Sequence, residues 1–226
     1  MALLAPVPGF ASNAAMRVMQ TQDDLAAAVG ALARREPRFA LVLARHGVPA
    51  LRRMPEGHAS LLRIVTDQLI SLKAAAAIWQ RLTAAHPGLD AAALARAPEA
   101  ELRGLGLSGA KARSFRAIAT AVVSGQLDMP GLAALDDEAV LTRLTAVHGI
   151  GPWTAQIYLL MGLGRGDGWP AGDLALQIAA QDLFGLPGRP AAREMVAMAE
   201  AWRPWRGAAA HLLWRHYREM RGIAPA

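Results

Sequence analysis

The sequence predicts an all-α protein of about nine or ten helices. Hydrophobic residues make up 54% of the chain, and many of them are alanine, the strongest helix former. Apolar side chains recur at spacings of three and four through most of the chain. No segment shows the alternating β-branched pattern of a strand. At 226 residues the chain can bury an ample core, as one large domain or two closely packed lobes.

The elements follow in order. Thr21 and Asp24 have the spacing of a capping box, opening a helix that runs to about Arg35. Leu61, Val65, Leu72, Ala76 and Trp79 fall on one face of a long helix ending near Leu82. Ser108 caps a helix over 109–124, with Phe115, Ile118, Ala119 and Val122 facing inward. Asp136 or Asp137 opens another, carrying Val140, Leu141, Leu144 and Val147. The run His148-Gly149-Ile150-Gly151-Pro152-Trp153 then reads as a turn and a helix start, because proline is tolerated at a first helical position. That helix carries Ile157, Leu160 and Met161. A breaker-rich stretch, Gly162 to Gly172, precedes three helices over 174–184, 190–202 and 205–220. The first twenty residues are expected to be loosely ordered.

Composition narrows the function. The net charge is +6, and of 24 basic residues only Lys73 and Lys111 are lysines. Arginine suits bidentate phosphate contacts, and positive charge favours polyanions such as nucleic acid. An arginine-rich codon bias explains the charge equally well. The chain has no cysteine, which excludes disulfides, thiolate zinc sites, cysteine-held iron–sulfur clusters and a thiol nucleophile. Its apolar stretches are far too short to span a bilayer. Met1 to Phe10 lacks the basic start of a signal peptide, so a cytoplasmic protein without membrane contact is expected, nucleoid-associated in a bacterium.

Two local features carry chemistry. Gly149 and Gly151 flank Ile150 between two amphipathic helices. Glycines permit a tight hairpin and let a phosphate reach bare N–H groups at the second helix's N-terminus. Steric need alone also explains such glycines. Asp173 precedes the helix over 174–184 and reads either as its N-cap or as a reactive carboxylate.

Leu144 to Gly151, continued by Trp153-Thr154-Ala155, resembles the hairpin of the helix-hairpin-helix DNA base-excision glycosylases. Asp67-Gln68-Leu69-Ile70-Ser71-Leu72-Lys73 resembles the family segment that probes the duplex. Leu105-Gly106-Leu107-Ser108 with Lys111, and Gly125-Gln126-Leu127, match another stretch. Pro170-Ala171-Gly172-Asp173 resembles the loop of the catalytic aspartate. Trp202-Arg203-Pro204-Trp205-Arg206-Gly207-Ala208 with Leu213-Trp214 is similar to the C-terminal signature of the alkylpurine branch, the DNA-3-methyladenine glycosylase II group. The likeness covers roughly 56–217. The extra N-terminal β-rich domain of larger members is not expected. Leu69 stands where many relatives have a second glutamine, and Gly172 where many have a second acidic residue.

The resemblance implies two helical lobes with double-stranded DNA bound across the cleft between them. Residues 57–165 form the middle lobe; 1–56 and 166–226 form the second. It implies Asp173 as the catalytic carboxylate, Leu69 as a wedge and Gln68 near the opposite strand. Gly149, Ile150, Gly151 and Thr154 contact DNA. Trp153 and Trp214 line the base pocket, with Ile157 and Leu174 where some relatives carry aromatics. The backbone carbonyls of Thr145, Val147 and Ile150 would hold a structural Na+ or K+; no cofactor is required. The product would be an abasic site, because Trp153 stands where bifunctional relatives carry a lysine nucleophile. No obligate protein partner is expected, and the chain would act as a monomer.

The chemistry is consistent with one carboxylate. The sugar gains oxocarbenium character as the base leaves. Opposite charges about 4 Å apart at an effective dielectric near 20 attract by roughly 4 kcal/mol, about a thousandfold in rate if realised only in the transition state. An electron-rich indole also attracts a cationic alkylated purine. Rival readings are a glycosylase for deaminated or mismatched bases, and a catalytically silent DNA-binding module. Leu69 and Trp214 also read as core. The six histidines lack metal-ligand spacing, and Arg165-Gly166-Asp167 lies within the loop before Asp173.

Overall fold

A computed structural model describes residues 18–223. The predicted loose order over the first twenty residues falls almost wholly outside them. The described residues form twelve α-helices and no strand. The fold is all-α, and one isolated bridge joins Val18 to Arg165.

The first two helices are α1 (Gln22–Arg35) and α2 (Pro37–His46). The Thr21–Asp24 capping box is present in both directions at the start of α1. Then come α3 (His58–Asp67) and α4 (Leu72–Ala85), where the sequence suggests one long helix. The chain breaks at Gln68 to Ser71, and Leu69 takes a left-handed φ of 55°. Leu72 and Ala76 are therefore exposed, and α4 buries Ala75 and Leu82 instead. The cause lies elsewhere in the chain. Lys111 Nζ donates to the carbonyls of Thr66 (2.9 Å) and Gln68 (2.7 Å), capping α3 from outside.

Two short helices, α5 (Ala91–Arg96) and α6 (Glu99–Gly104), raise the number above nine or ten. Asp90 caps α5 through the Ala93 N–H. Ser108 caps α7 (Gly109–Val123), and Asp136 caps α8 (Asp137–Thr145), both as the sequence indicates. The last four are α9 (Pro152–Ile157), α10 (Leu174–Leu183), α11 (Ala192–Ala199) and α12 (Arg206–Met220). After α9 the helix widens into a π-type turn, Tyr158–Gly162.

Helix α7 packs on α3 and α5, and α8 packs on α9. Helix α12 packs on α1, α2 and α10. A continuous core runs through both groups, with Leu61, Phe115, Ile118, Leu144 and Tyr158 in one part and Leu25, Phe39, Leu176 and Leu213 in another. No described helix is long and apolar enough to cross a membrane.

Candidate active site

The hairpin joins α8 to α9. Gly149 has φ 88°, and a Cβ there would lie 2.0 Å from Ser114 Oγ on α7. Only glycine fits, for conformation and for space. Ile150 is 4% exposed and packs into the core, worth about 1.5–3 kcal/mol for a side chain of its type. Gly151 is the N-cap of α9, and its Cβ position faces open space. The hairpin is thus anchored from within by Ile150 and left bare outside at Gly151.

Carbonyl lone pairs remain at this turn. The Val147 carbonyl accepts from the Ile150 N–H at 3.1 Å; those of Thr145 and Ile150 accept from no backbone N–H among the described residues. No cluster of three or more His, Asp or Glu side chains with metal-holding geometry occurs among them.

Opposite the hairpin stands the α3–α4 break. Gln68 Nε2 donates to Thr154 Oγ1 at 2.7 Å, tying the break to α9. Leu69 is fully extended into solvent, 103% exposed. A left-handed leucine costs roughly 1–2 kcal/mol. The fold therefore holds an apolar side chain outward, in an unfavourable conformation, at the rim of the cleft.

Asp173 is the third component. It caps α10, Oδ1 accepting from the Leu176 N–H at 3.1 Å. Two indoles also donate to it: Trp214 Nε1 to Oδ1 at 3.2 Å and Trp153 Nε1 to Oδ2 at 3.0 Å. A carboxylate offers about four lone-pair sites, so the Oδ2 side keeps one free. Capping and a reactive role are compatible here.

The loop carrying Asp173 is tied down along its length. Arg165, only 3% exposed, donates to the carbonyls of Ala133 (2.8 Å) and Leu135 (3.0 Å). Asp167 accepts from Arg206 at 2.9 Å and from Arg203. Trp169 receives its backbone anchor from α9, its N–H donating to Gln156 Oε1 at 2.8 Å. Gln177 Nε2 donates to the Ala171 carbonyl at 3.1 Å.

These parts enclose a cleft of about 610 Å³. Gln68, Leu69, Gly149, Gly151, Trp153, Thr154, Asp173 and Leu174 all line it. Ile150 is buried and, like Thr145 and Val147, lies outside its lining. Ile157 is 5% exposed, packed in the core away from the lining. Trp214 is 6% exposed; its N–H reaches Asp173, while its ring walls a second cavity of about 520 Å³. Sequence reasoning missed Tyr217, a cleft residue three positions after Trp214 and so on the same helical face. It also missed Arg52, whose guanidinium stands 5.2 Å from the Trp214 ring centre.

Fold and site together define a class: an all-α helix-hairpin-helix protein with a clamped carboxylate in an open cleft. The chain belongs to the HhH-GPD superfamily of base excision DNA repair proteins, whose pattern matches residues 62–206. It is similar to the putative DNA-3-methyladenine glycosylase YfjP of Bacillus subtilis, 36% identical over 51% of this chain and 40% of that protein. DNA-3-methyladenine glycosylase 1 of Schizosaccharomyces pombe is 32% identical over 71% of this chain and 72% of its own length. Among solved structures, the fission-yeast 3-methyladenine DNA glycosylase Mag1 in complex with abasic DNA superposes with a TM-score of 0.78 at 26% identity, over 88% of this chain and 98% of that one. DNA-3-methyladenine glycosidase from Bacillus halodurans gives 0.71 at 28% identity, over 88% of this chain and 93% of that one.

Proposed function

We propose that this protein is a monofunctional DNA glycosylase. It hydrolyses the N-glycosidic bond of a damaged purine, of the alkylated class, and leaves an abasic site. The observation that carries this is Asp173, held by three N–H donors at the cleft beside an outward leucine and a bare hairpin.

The steps follow from the residues. The duplex backbone rests on the N–H groups of Gly149 and Gly151, at the positive end of α9. The damaged nucleotide leaves the stack, and Leu69 fills the gap. The unstacked nucleotide enters the cleft beside Trp153, Leu174 and Tyr217. The C1′–N bond breaks with its electron pair passing to the base. The Asp173 carboxylate stabilises the positive sugar, and water adds at C1′. The lining contains no lysine, and Lys111 is occupied with the carbonyls of Thr66 and Gln68. That supports hydrolysis without a Schiff base.

A lobe division at 57–165 against the two flanks is supported by the packing of α7 on α3 and α5, and of α12 on α1, α2 and α10. The carbonyls of Thr145, Val147 and Ile150 suit a monovalent cation, which would help position a phosphate there. The protein acts alone on duplex DNA in the cytoplasm.

The test incubates methylated duplex DNA with the protein and with Asp173→Asn, and measures free bases by chromatography. Asn keeps a capping oxygen but loses the charge. Release is expected to fall by about a thousandfold. Equal release by both would remove Asp173 from catalysis. DNA binding without release of any lesion would replace the glycosylase reading with the silent module.

A further inference from the structure

We propose that Arg52 biases this cleft between neutral and cationic damaged purines: it speeds release of neutral ones, such as ethenoadenine or hypoxanthine, and weakens binding of cationic ones such as 7-methylguanine without excluding them. This rests on the glycosylase reading above.

The Arg52 guanidinium stacks on Trp214, 5.2 Å from the ring centre, and the same indole donates to Asp173 at 3.2 Å. A fixed positive charge therefore stands one indole away from the carboxylate. It is built in. The Arg52 main-chain N–H donates to His211 Nε2 at 3.2 Å, which holds the residue's backbone, and His211 Nδ1 donates to the Gly207 carbonyl at 2.7 Å. Burial holds His211 at a pKa of about 4, so this anchor is neutral at physiological pH. No carboxylate forms an ion pair with Arg52 among the described residues. The cavity behind Trp214 adds Arg215, Arg218 and His46 around it. Arg215 pairs with Glu219 at 2.8 Å and burial lowers the pKa of His46, so neither adds charge to this wall.

The consequence follows from the direction of charge flow. When a neutral purine departs, the pair from the C1′–N bond gives the base negative character. A proton from the added water then completes the neutral product. In that transition state Arg52 faces a base gaining negative charge and Asp173 a sugar gaining positive charge, each of opposite sign to its partner. A purine alkylated at N7 already carries a positive charge on entry and leaves neutral. Arg52 repels it on binding. The two effects separate kinetically: help for the neutral base appears in kcat, opposition to the cation in KM.

The experiment measures kcat and KM on defined duplexes carrying hypoxanthine, ethenoadenine or 7-methylguanine, for the unaltered protein, Arg52→Met and Arg52→Lys. Thermal melting of each variant is recorded beside it. Arg52→Met is expected to lower the neutral-to-cationic ratio of kcat/KM by at least about tenfold. The neutral kcat should fall and the 7-methylguanine KM should fall with it. Arg52→Lys keeps the charge and should keep most of the ratio. An unchanged ratio in Arg52→Met, with all activities falling together, overturns the inference and leaves the glycosylase reading standing. An unaltered protein that releases none of these bases, nor 3-methyladenine, overturns both.

Discussion

Replacing Gly149 by alanine tests whether the hairpin is as tightly specified as its geometry indicates. The new Cβ would lie 2.0 Å from Ser114 Oγ, 2.5 Å from its Cβ and 3.1 Å from its Cα. Two costs act together. A non-glycine residue at φ 88° pays roughly 1–2 kcal/mol. Forcing a methyl into a packed contact adds about 1–3 kcal/mol. The sum, about 2–5 kcal/mol, is a large part of the 5–15 kcal/mol typical of a domain. Ser114 cannot swing aside freely, because its hydroxyl donates to the Ala110 carbonyl at 2.9 Å and the residue is 7% exposed. Urea unfolding followed by tryptophan fluorescence would measure the loss. A Ser114→Gly partner removes the Oγ and Cβ contacts, at about 1 kcal/mol for a helix glycine. In the double variant the two losses should therefore be less than additive, by about 1–3 kcal/mol. A loss below about 0.5 kcal/mol in Gly149→Ala, or strict additivity, would refute the reasoning.

Two further outcomes follow from the same geometry. His211 has a folded pKa of about 4, below the ordinary 6.5, so the unfolded chain takes up its proton first. The associated stability is full above about pH 6.5 and is lost as pH falls towards 4, by about 3 kcal/mol. Unfolding free energies of the unaltered protein and His211→Gln should converge by that amount between pH 7 and pH 4; a constant difference would disprove the neutral anchor. Leu69→Asn places a residue tolerant of left-handed backbone at an exposed position. Its melting temperature should hold or rise while base release drops by about tenfold or more; a lower melting temperature would show that Leu69 is held inside the fold.

The sequence revealed much of the fold through local grammar. Thr21, Ser108, Asp136 and Asp173 each cap the helix their spacing announces. The glycines of the hairpin were legible for the same reason, since a turn is a short-range event. What escaped was decided at a distance. The break between α3 and α4 hides within an unbroken apolar period, because Lys111, some forty residues later in the chain, satisfies the carbonyls that end α3. Ile157 sits in the expected helix on its buried face, and only the packing of that helix shows that this face is turned away from the cleft. Arg52 carries no local pattern at all; only the packing of α12 brings an indole beneath it.

The bond between Trp169 N–H and Gln156 Oε1 joins the Asp173 loop to the helix that begins at the hairpin. With Trp153, also on that helix, donating to Asp173, grip and reactive group share one short rigid strut. A backbone phosphate seated at Gly151 would then lie at a set reach from the carboxylate, whichever base is attached. Such a strut works as a ruler. In the proposed reaction it would select a nucleotide by its position along the strand before any feature of the base is read. Lengthening or loosening the loop between Gly162 and Gly172 would blur that spacing while leaving both ends chemically intact.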